Sequence, residues 1–190
     1  MHNGVTAAGP RDEDEIFEML LGLHEENGLF SVDEERTRAF IRTAITPGGG
    51  IVGVIRGADG KLEASVGMTL DQWWYTSDWC LSERWVYVVP AARKRSFADK
   101  HASRLIDYAK WAAGQLGVPL QMGILSTTRT AAKEKMYGRK LTPVGALFMW
   151  SPDGEVRTGK KDAAGKEPAG NEIAAKKEPA DVRQVEQNHV

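Results

Sequence analysis

The chain has 190 residues, enough for one domain of ordinary size to build a core without disulfides or structural metals. Lys and Arg number 25 against 26 Asp and Glu, so the total charge gives no reason to expect a nucleic-acid or membrane partner. The single cysteine, Cys80, excludes an intramolecular disulfide and is interpreted as a packed thiol. No apolar run approaches the roughly 20 residues that span a bilayer, and no leader pattern is present, so a cytoplasmic protein is expected.

Hydrophobic periodicity and turn residues predict a βααβββαβαβ order of elements. In chain order these are a strand at 4–9, a helix from 12–15 to 27, a helix from the capping box at 31–34 to the break at 47–48, strands at 51–55, 62–70 and 81–89, a helix from 96 to 116, a strand at 120–125, a helix to about 139 and a strand at 143–150. This order predicts an α/β (α+β) fold in which helices cover a mixed sheet.

Two motifs near the predicted helices are interpreted as structural. Ser31-Val32-Asp33-Glu34 has the pattern of a capping box, which predicts that Ser31 caps the second helix. Gly48-x-Gly50-x-x-Gly53 matches a dinucleotide-binding fingerprint by letter. It lies after a helix and before a strand, the reverse of the order that pyrophosphate binding requires, so the match is accidental.

The strand at 81–89 and the segment before it carry further patterns. Alternation divides the strand into two faces, one with Leu81, Glu83, Trp85 and Tyr87 and the other with Ser82, Arg84, Val86 and Val88. Residues 71–80, DQWWYTSDWC, hold three of the six tryptophans. In a link between strands these rings either cap the core or a dimer interface, or they line a substrate pocket.

The stretch 85–98, WVYVVPAARKRSFA, runs from a strand through a basic turn into a helix. Pro90 stops the strand, Arg93, Lys94 and Arg95 follow, and Ser96 opens an alanine-lined helix. At the start of a helix several backbone N–H groups have no partner within the helix, and the dipole adds about half a positive charge. Such a junction binds phosphate, and the three basic residues strengthen its field.

These residues resemble the GCN5-related N-acetyltransferases (GNAT), which move an acetyl group from acetyl-coenzyme A (acetyl-CoA) to an amine. The stretch 86–90 followed by Arg93-x-x-Ser96-x-Ala98 is similar to the family's strand and its Q/R-x-x-G-x-G/A pyrophosphate loop. Thr130, seven residues before Tyr137, stands where the family commonly has Asn. The resemblance covers residues 4–150 and implies a GNAT-like mixed, mostly antiparallel sheet flanked by helices.

The resemblance also implies the residues of the coenzyme site. The backbone near Val86 and Val88 would pair with the pantetheine arm at a place where two strands splay apart, and the amides of 93–98 would hold the pyrophosphate. The implied cofactor-binding residues are Val86, Tyr87, Val88, Arg93, Lys94, Arg95, Ser96, Phe97, Ala98 and Thr130. The chain departs from the family at Ser96, where a Gly is usual, and at 138–141, where a Gly-Phe pair is missing.

Tyr137 is the expected catalytic acid, because a Tyr hydroxyl near the thioester sulfur can protonate the leaving thiolate. The base that takes a proton from the amine is expected to be a carboxylate or a water chain. Glu83, on the central strand, is the first choice of carboxylate and Asp71 the second. The four histidines do not cluster with each other, with the cysteine or with carboxylates, so no metal site is expected.

The sequence therefore predicts an acetyl-CoA-dependent N-acetyltransferase domain at 1–151 and a disordered charged tail at 152–190. The tail has no aromatic residue and few large apolar ones, so it cannot bury enough surface to order itself. The acceptor is expected to be an amine on a small molecule or a protein, and the domain can form a homodimer. The alternative is an acyl-CoA-binding or regulatory protein that keeps the fold without transfer activity; a nucleic-acid-binding module built on 93–95 is disfavoured by the near-zero net charge.

Overall fold

The computed structural model of the chain describes residues 1–27, 30–93, 101–125 and 130–145. The elements are β1 (Thr6–Ala7), α1 (Glu13–Asn27), α2 (Glu34–Ile45), β2 (Gly50–Arg56), β3 (Leu62–Gln72), β4 (Trp79–Val88), α3 (Pro90–Arg93), α4 (His101–Leu116), β5 (Leu120–Gln121) and α5 (Thr130–Tyr137). None of these helices is long and apolar enough to cross a membrane. The predicted domain boundary at 151 lies outside the described residues and stays a prediction, as does the tail.

The five strands form one sheet in the order β1-β2-β3-β4-β5. Every neighbouring pair is antiparallel except β4 and β5, which run parallel. The predicted α/β fold with a mixed, mostly antiparallel sheet is confirmed. The predicted elements follow in the expected order as far as α5, with one short helix, α3, that was not predicted. Residues 143–145 form no strand, and the rest of the predicted last strand lies outside the described residues.

Each face of the sheet is covered by helices over its own apolar cluster. On one face, α4 contributes buried Leu105, Tyr108, Ala109 and Ala112 to a cluster with residues of β2, β3 and β4. On the other face, α1 and α2 pack against β2, Trp85 and Tyr87. Gly53 of β2 lies against α4, because a Cβ there would be 2.6 Å from the Tyr108 ring. This glycine lets α4 and the sheet come close together.

Two predicted element ends are wrong. The N-cap of α2 is Asp33, whose carboxylate accepts the Arg36 N–H at 2.9 Å, and not Ser31. Asp caps a helix as well as Ser does, so the helix begins two residues later than the capping-box pattern indicates. The strand predicted at 120–125 is only two residues long, because its pairing with β4 ends at Gln121.

The predicted faces of β4 are also wrong, because the strand contains a β-bulge. Gly67 of β3 pairs with Trp85 and the next residue, Met68, pairs with Glu83, so Arg84 is an extra residue in the ladder. A bulge changes the phase of alternation by one residue. Leu81 therefore packs against the α4 cluster together with Val86 and Val88, and not on the face of Trp85 and Tyr87.

Next to the bulge, the Trp85 ring packs over Gly67 of β3. A Cβ on Gly67 would lie 2.2 Å from the Trp85 ring, so only glycine lets the indole lie flat over that strand. The indole N–H donates to the buried Ser65 hydroxyl at 3.1 Å, which satisfies both polar groups. The phase change thus places Glu83 on the side of the sheet that α4 covers.

Candidate active site

The candidate site lies where β4 and β5 separate. The two strands pair only at Leu81–Leu120 and Ser82–Gln121, next to a bond from the Leu81 N–H to the Pro119 carbonyl at 2.8 Å. Residues 122–125 continue without strand structure. Among the described residues, β4 from Glu83 onward pairs with β3 alone, so one edge of it is open. This is the splay between strands that the sequence resemblance implies.

Glu83 stands at the point where the two strands part. Its carboxylate accepts the Gly123 N–H at 3.1 Å, and the side chain is partly buried. Burial raises the pKa of Glu83 to about 7, against the lowering effects of the Gly123 N–H and of the charges on Arg84 and Lys133. The carboxyl is therefore close to half ionised near neutral pH, as a general base requires.

Tyr137 lies within electrostatic range of the Glu83 carboxylate, although 54 positions separate the two residues in the sequence. Burial raises the pKa of the Tyr137 phenol, and the negative charge of Glu83 raises it further. The hydroxyl thus keeps its proton at neutral pH and can act as a donor. The two catalytic residues predicted from the sequence are brought together by the fold.

Helix α5 supplies the side of the site that faces Glu83. Thr130, Lys133 and Tyr137 recur at a spacing of three and four residues, so they lie on one face of this helix. The chain just after α5 is fixed to α4 by an ion pair of Lys140 with Asp107 at 2.5 Å. Sequence reasoning missed Lys133 near Glu83, although its position one turn before Tyr137 was a signal for it.

The second carboxylate considered for the base, Asp71, lies elsewhere. It pairs with the Arg84 guanidinium and accepts the Thr69 hydroxyl at 3.0 Å. Arg84 also lies over the Phe40 ring of α2, on the face of the sheet opposite α4. Asp71 is thus committed to an ion pair on the other face, which leaves Glu83 as the carboxylate at the gap.

The three predicted pantetheine-contact residues on β4 divide between the two faces. Val86 and Val88 are partly buried against the α4 cluster, next to the open edge. The Tyr87 side chain points to the other face, where its hydroxyl donates to Glu26 at 2.7 Å. Burial and the Glu26 carboxylate raise the pKa of Tyr87. Tyr87 can therefore serve a ligand at the gap only through its backbone.

Arg93 is engaged with the protein itself. Its guanidinium bonds Glu26 at 2.9 and 3.1 Å and the Val88 carbonyl at 2.6 Å, and it lies 5.0 Å from the centre of the Tyr87 ring. The backbone N–H of Arg93 donates to the Val89 carbonyl at 3.2 Å. The described contacts give Arg93 a role in joining α1 to the end of β4. The other predicted phosphate-loop residues, Lys94, Arg95, Ser96, Phe97 and Ala98, lie outside the described residues.

Glu63 of β3 bonds residues on both sides of the predicted phosphate loop. Sequence reasoning also missed this residue. The Glu63 carbonyl accepts the Val89 N–H at 2.9 Å, before the loop. The Glu63 carboxylate bonds Nε2 of His101, the first residue of α4, at 2.9 Å, and both side chains are largely buried. No cluster of metal-binding side chains occurs in the part of the chain that the structure describes.

Solved structures with a similar fold include proteins named as acetyltransferases. A possible acetyltransferase from Clostridium difficile 630 has a TM-score of 0.59 and 15% identity, over 77% of this chain and 95% of that one. The ribosomal-protein-alanine N-acetyltransferase of Brucella melitensis biovar Abortus 2308 has a TM-score of 0.55 and 15% identity, over 77% and 98%. No protein-family model and no curated protein matches the sequence.

A third similar structure contains a coenzyme analogue. The aminoglycoside acetyltransferase AAC(6')-Iy, in complex with the bisubstrate analogue CoA-S-monomethyl-acetylneamine, has a TM-score of 0.58 and 11% identity, over 77% of this chain and 95% of that one. At these identities the likeness concerns the fold. The chain has the GNAT fold, which confirms the resemblance stated from the sequence.

Proposed function

We propose that the chain is an N-acetyltransferase that moves an acetyl group from acetyl-CoA to an amine by direct attack. The observation that carries this proposal is the Glu83 carboxyl at the point where β4 and β5 separate, bonded to the Gly123 N–H, with Tyr137 within electrostatic range of it. A base whose pKa is near 7 and a phenol that keeps its proton are the two groups that the reaction needs.

The open edge of β4 supports binding of the coenzyme. The pantetheine arm is a string of amides, and an unpaired strand edge offers backbone groups at the spacing of a peptide. Val86 and Val88 belong to the part of β4 that pairs with β3 alone among the described residues. The phosphates would then reach the segment 93–98, because it begins five residues after the end of β4 at Val88.

Each proton transfer has one residue assigned to it. Glu83, directly or through a water, takes a proton from the protonated amine, which then attacks the thioester carbonyl. A C–N bond forms and the C–S bond breaks. The nitrogen, which carries a positive charge after the attack, loses its second proton to solvent. Tyr137 gives its proton to the leaving thiolate and recovers one from solvent, and Glu83 releases the proton it took. The products are the amide and coenzyme A with a free thiol.

The acceptor is proposed to be a small-molecule amine, with a protein amine as the second choice. The similar AAC(6')-Iy structure carries an analogue with a neamine portion, which supports a small molecule. The amine has to reach Glu83, where α5 and the parting strands leave the carboxylate only partly buried. Neither a nucleic acid nor a membrane is part of the proposal.

Two measurements on the full chain test this function in order. Acetyl-CoA should raise the melting temperature, because a ligand that binds the native state stabilises it. Thiol release from acetyl-CoA should then depend on an amine drawn from a panel of aminoglycosides, polyamines, amino acids and peptides. If acetyl-CoA leaves the melting temperature unchanged, the proposed coenzyme site is contradicted. A thermal shift without thiol release for any amine favours the alternative, a regulatory protein that binds acyl-CoA and transfers nothing.

A further inference from the structure

The turn between β3 and β4 displays a cluster of aromatic rings to solvent. Its members are Trp73, Trp74, Tyr75 and Trp79, which are 45%, 92%, 68% and 52% exposed. The rings of Trp73 and Tyr75 are 6.1 Å apart, and those of Trp74 and Tyr75 are 5.4 Å apart, edge to face. They therefore form one patch. The sequence-based suggestion that these rings cap the core of the chain is wrong.

The turn that carries the rings is fixed by hydrogen bonds. The Gln72 side chain donates to the Ser77 carbonyl at 2.6 Å, the Asp78 N–H donates to the Thr76 hydroxyl at 3.1 Å, and the Thr76 N–H donates to the Trp73 carbonyl at 3.1 Å. A partner that docks on this turn does not have to order it, so little of the binding energy is lost in ordering. Exposed, rigid tryptophan and tyrosine are the residues that dominate protein interfaces.

We infer that this patch, formed by Trp73, Trp74, Tyr75 and Trp79, is the contact surface of a homodimer in which it meets its own copy across a two-fold axis. Aromatic side chains bury 150–250 Å² each, so the exposed fractions amount to about 500 Å² per copy. A symmetric pair then buries about 1,000 Å², which is the lower limit for a specific interface.

The charges near the patch favour a second copy over a charged partner. Residues 72–79 contain one charged side chain, Asp78. Asp71, just before them, is neutralised by its ion pair with Arg84. A nearly uncharged aromatic surface is complementary to itself and offers little to a strongly basic or acidic partner. This inference does not depend on the proposed enzymatic function.

The test is the oligomeric state of the full chain by sedimentation velocity between about 1 and 100 μM. The small buried area predicts a dimer with a Kd in the micromolar range. Trp74→Ser/Tyr75→Ser should weaken association more than tenfold. A matched control is Phe30→Ser, which removes an equally exposed ring (67%) from a different connection and should leave the dimer intact. Circular dichroism and the melting temperature check that each variant is folded.

Trp74→Ala is a second variant that should fold as the wild type does, because the Trp74 ring is 92% exposed. A wild-type chain that stays monomeric at 100 μM overturns the inference. So does a dimer that the patch variants leave unchanged, since another surface must then hold it. A monomer whose KM for the amine rises in the patch variants also overturns it and assigns the rings to acceptor binding.

Discussion

Replacing Glu83 by Gln removes the titrating carboxyl and keeps its shape. A Gln side-chain oxygen can still accept the Gly123 N–H, so the local geometry is preserved. The base is lost, and kcat/KM should fall by a factor of about 10²–10⁴. In the wild-type enzyme kcat/KM should rise with pH through about 7, where Glu83 loses its proton. In the variant, kcat/KM should no longer rise with pH near 7, but it should keep any rise at higher pH that comes from deprotonation of the amine itself.

The same change should stabilise the protein, with a sign fixed by proton linkage. The pKa of Glu83 is raised to about 7 in the folded state from an ordinary 4.5. Below pH 4.5 the carboxyl is protonated in both the folded and the unfolded state, so it does not lower the free energy of unfolding. Between pH 4.5 and 7 the unfolded state loses its proton first, so the wild-type free energy of unfolding falls as pH rises. Above pH 7 both states are ionised, and the free energy of unfolding that is lost no longer changes with pH.

Gln carries no such penalty. The stability gained by Glu83→Gln should therefore grow between pH 5 and pH 8 by about 1–2 kcal/mol, allowing for solvent around a partly exposed side chain. Urea unfolding at the two pH values measures it. Asp71→Asn is the matched control, since this carboxylate is paired with Arg84 and should leave the kinetic limb near pH 7 in place. A variant that loses activity but gains no stability at pH 8 would refute a buried, high-pKa Glu83.

Three further outcomes are expected. Tyr137→Phe should lower kcat by about 10²-fold and leave the Kd for coenzyme A unchanged by calorimetry, because only the proton donor is lost; unchanged kcat excludes Tyr137 from the reaction. Arg93→Ala should cost about 1–2 kcal/mol in urea unfolding through loss of the Glu26 contacts, with a Kd for acetyl-CoA raised less than threefold; a tenfold rise would place its side chain on the coenzyme. Gly67→Ala should cost about 2–3 kcal/mol by displacing the Trp85 ring, and native-like near-ultraviolet circular dichroism and stability would contradict that packing.

Much of the fold could be predicted from the sequence because its signals are local. The hairpin turn at 57–60, the glycine that ends α4 and the apolar spacing of the helices each act within a few residues. Gly117, for example, has a φ of +67°, a backbone conformation that favours glycine. Such patterns need no knowledge of what packs against them.

The faces of β4 could not be predicted, because the bulge at Arg84 depends on tertiary packing. Strict alternation puts Glu83 on the face of Trp85, whereas the extra residue puts it on the face of Val86 and Val88. The bulge lies next to the point where the Trp85 ring packs over Gly67, a contact between strands that no local pattern shows. The same applies to the pKa of Glu83, which burial raises against the lowering effects of Gly123, Arg84 and Lys133.

The roles of Arg93 and of the aromatic turn also required the structure. The basic run 93–95 reads as three equivalent cations, but Arg93 has a carboxylate partner, Glu26, at the end of α1. Tryptophans in a link between strands pack inward or stay exposed depending on what lies beyond the turn, and here they are exposed. Both cases depend on residues far away in the sequence.

Transfer of a labelled acetyl group tests the central claim most directly. Acetyl-CoA with a ¹³C-labelled acetyl group is incubated with the wild-type chain and an accepted amine, and the products are analysed by mass spectrometry. The label should appear on the amine nitrogen with an equal amount of free coenzyme A thiol. The Glu83→Gln/Tyr137→Phe double variant should bind the coenzyme and transfer almost none. Labelled product formed equally well by the double variant would contradict acetyl transfer at the gap between β4 and β5.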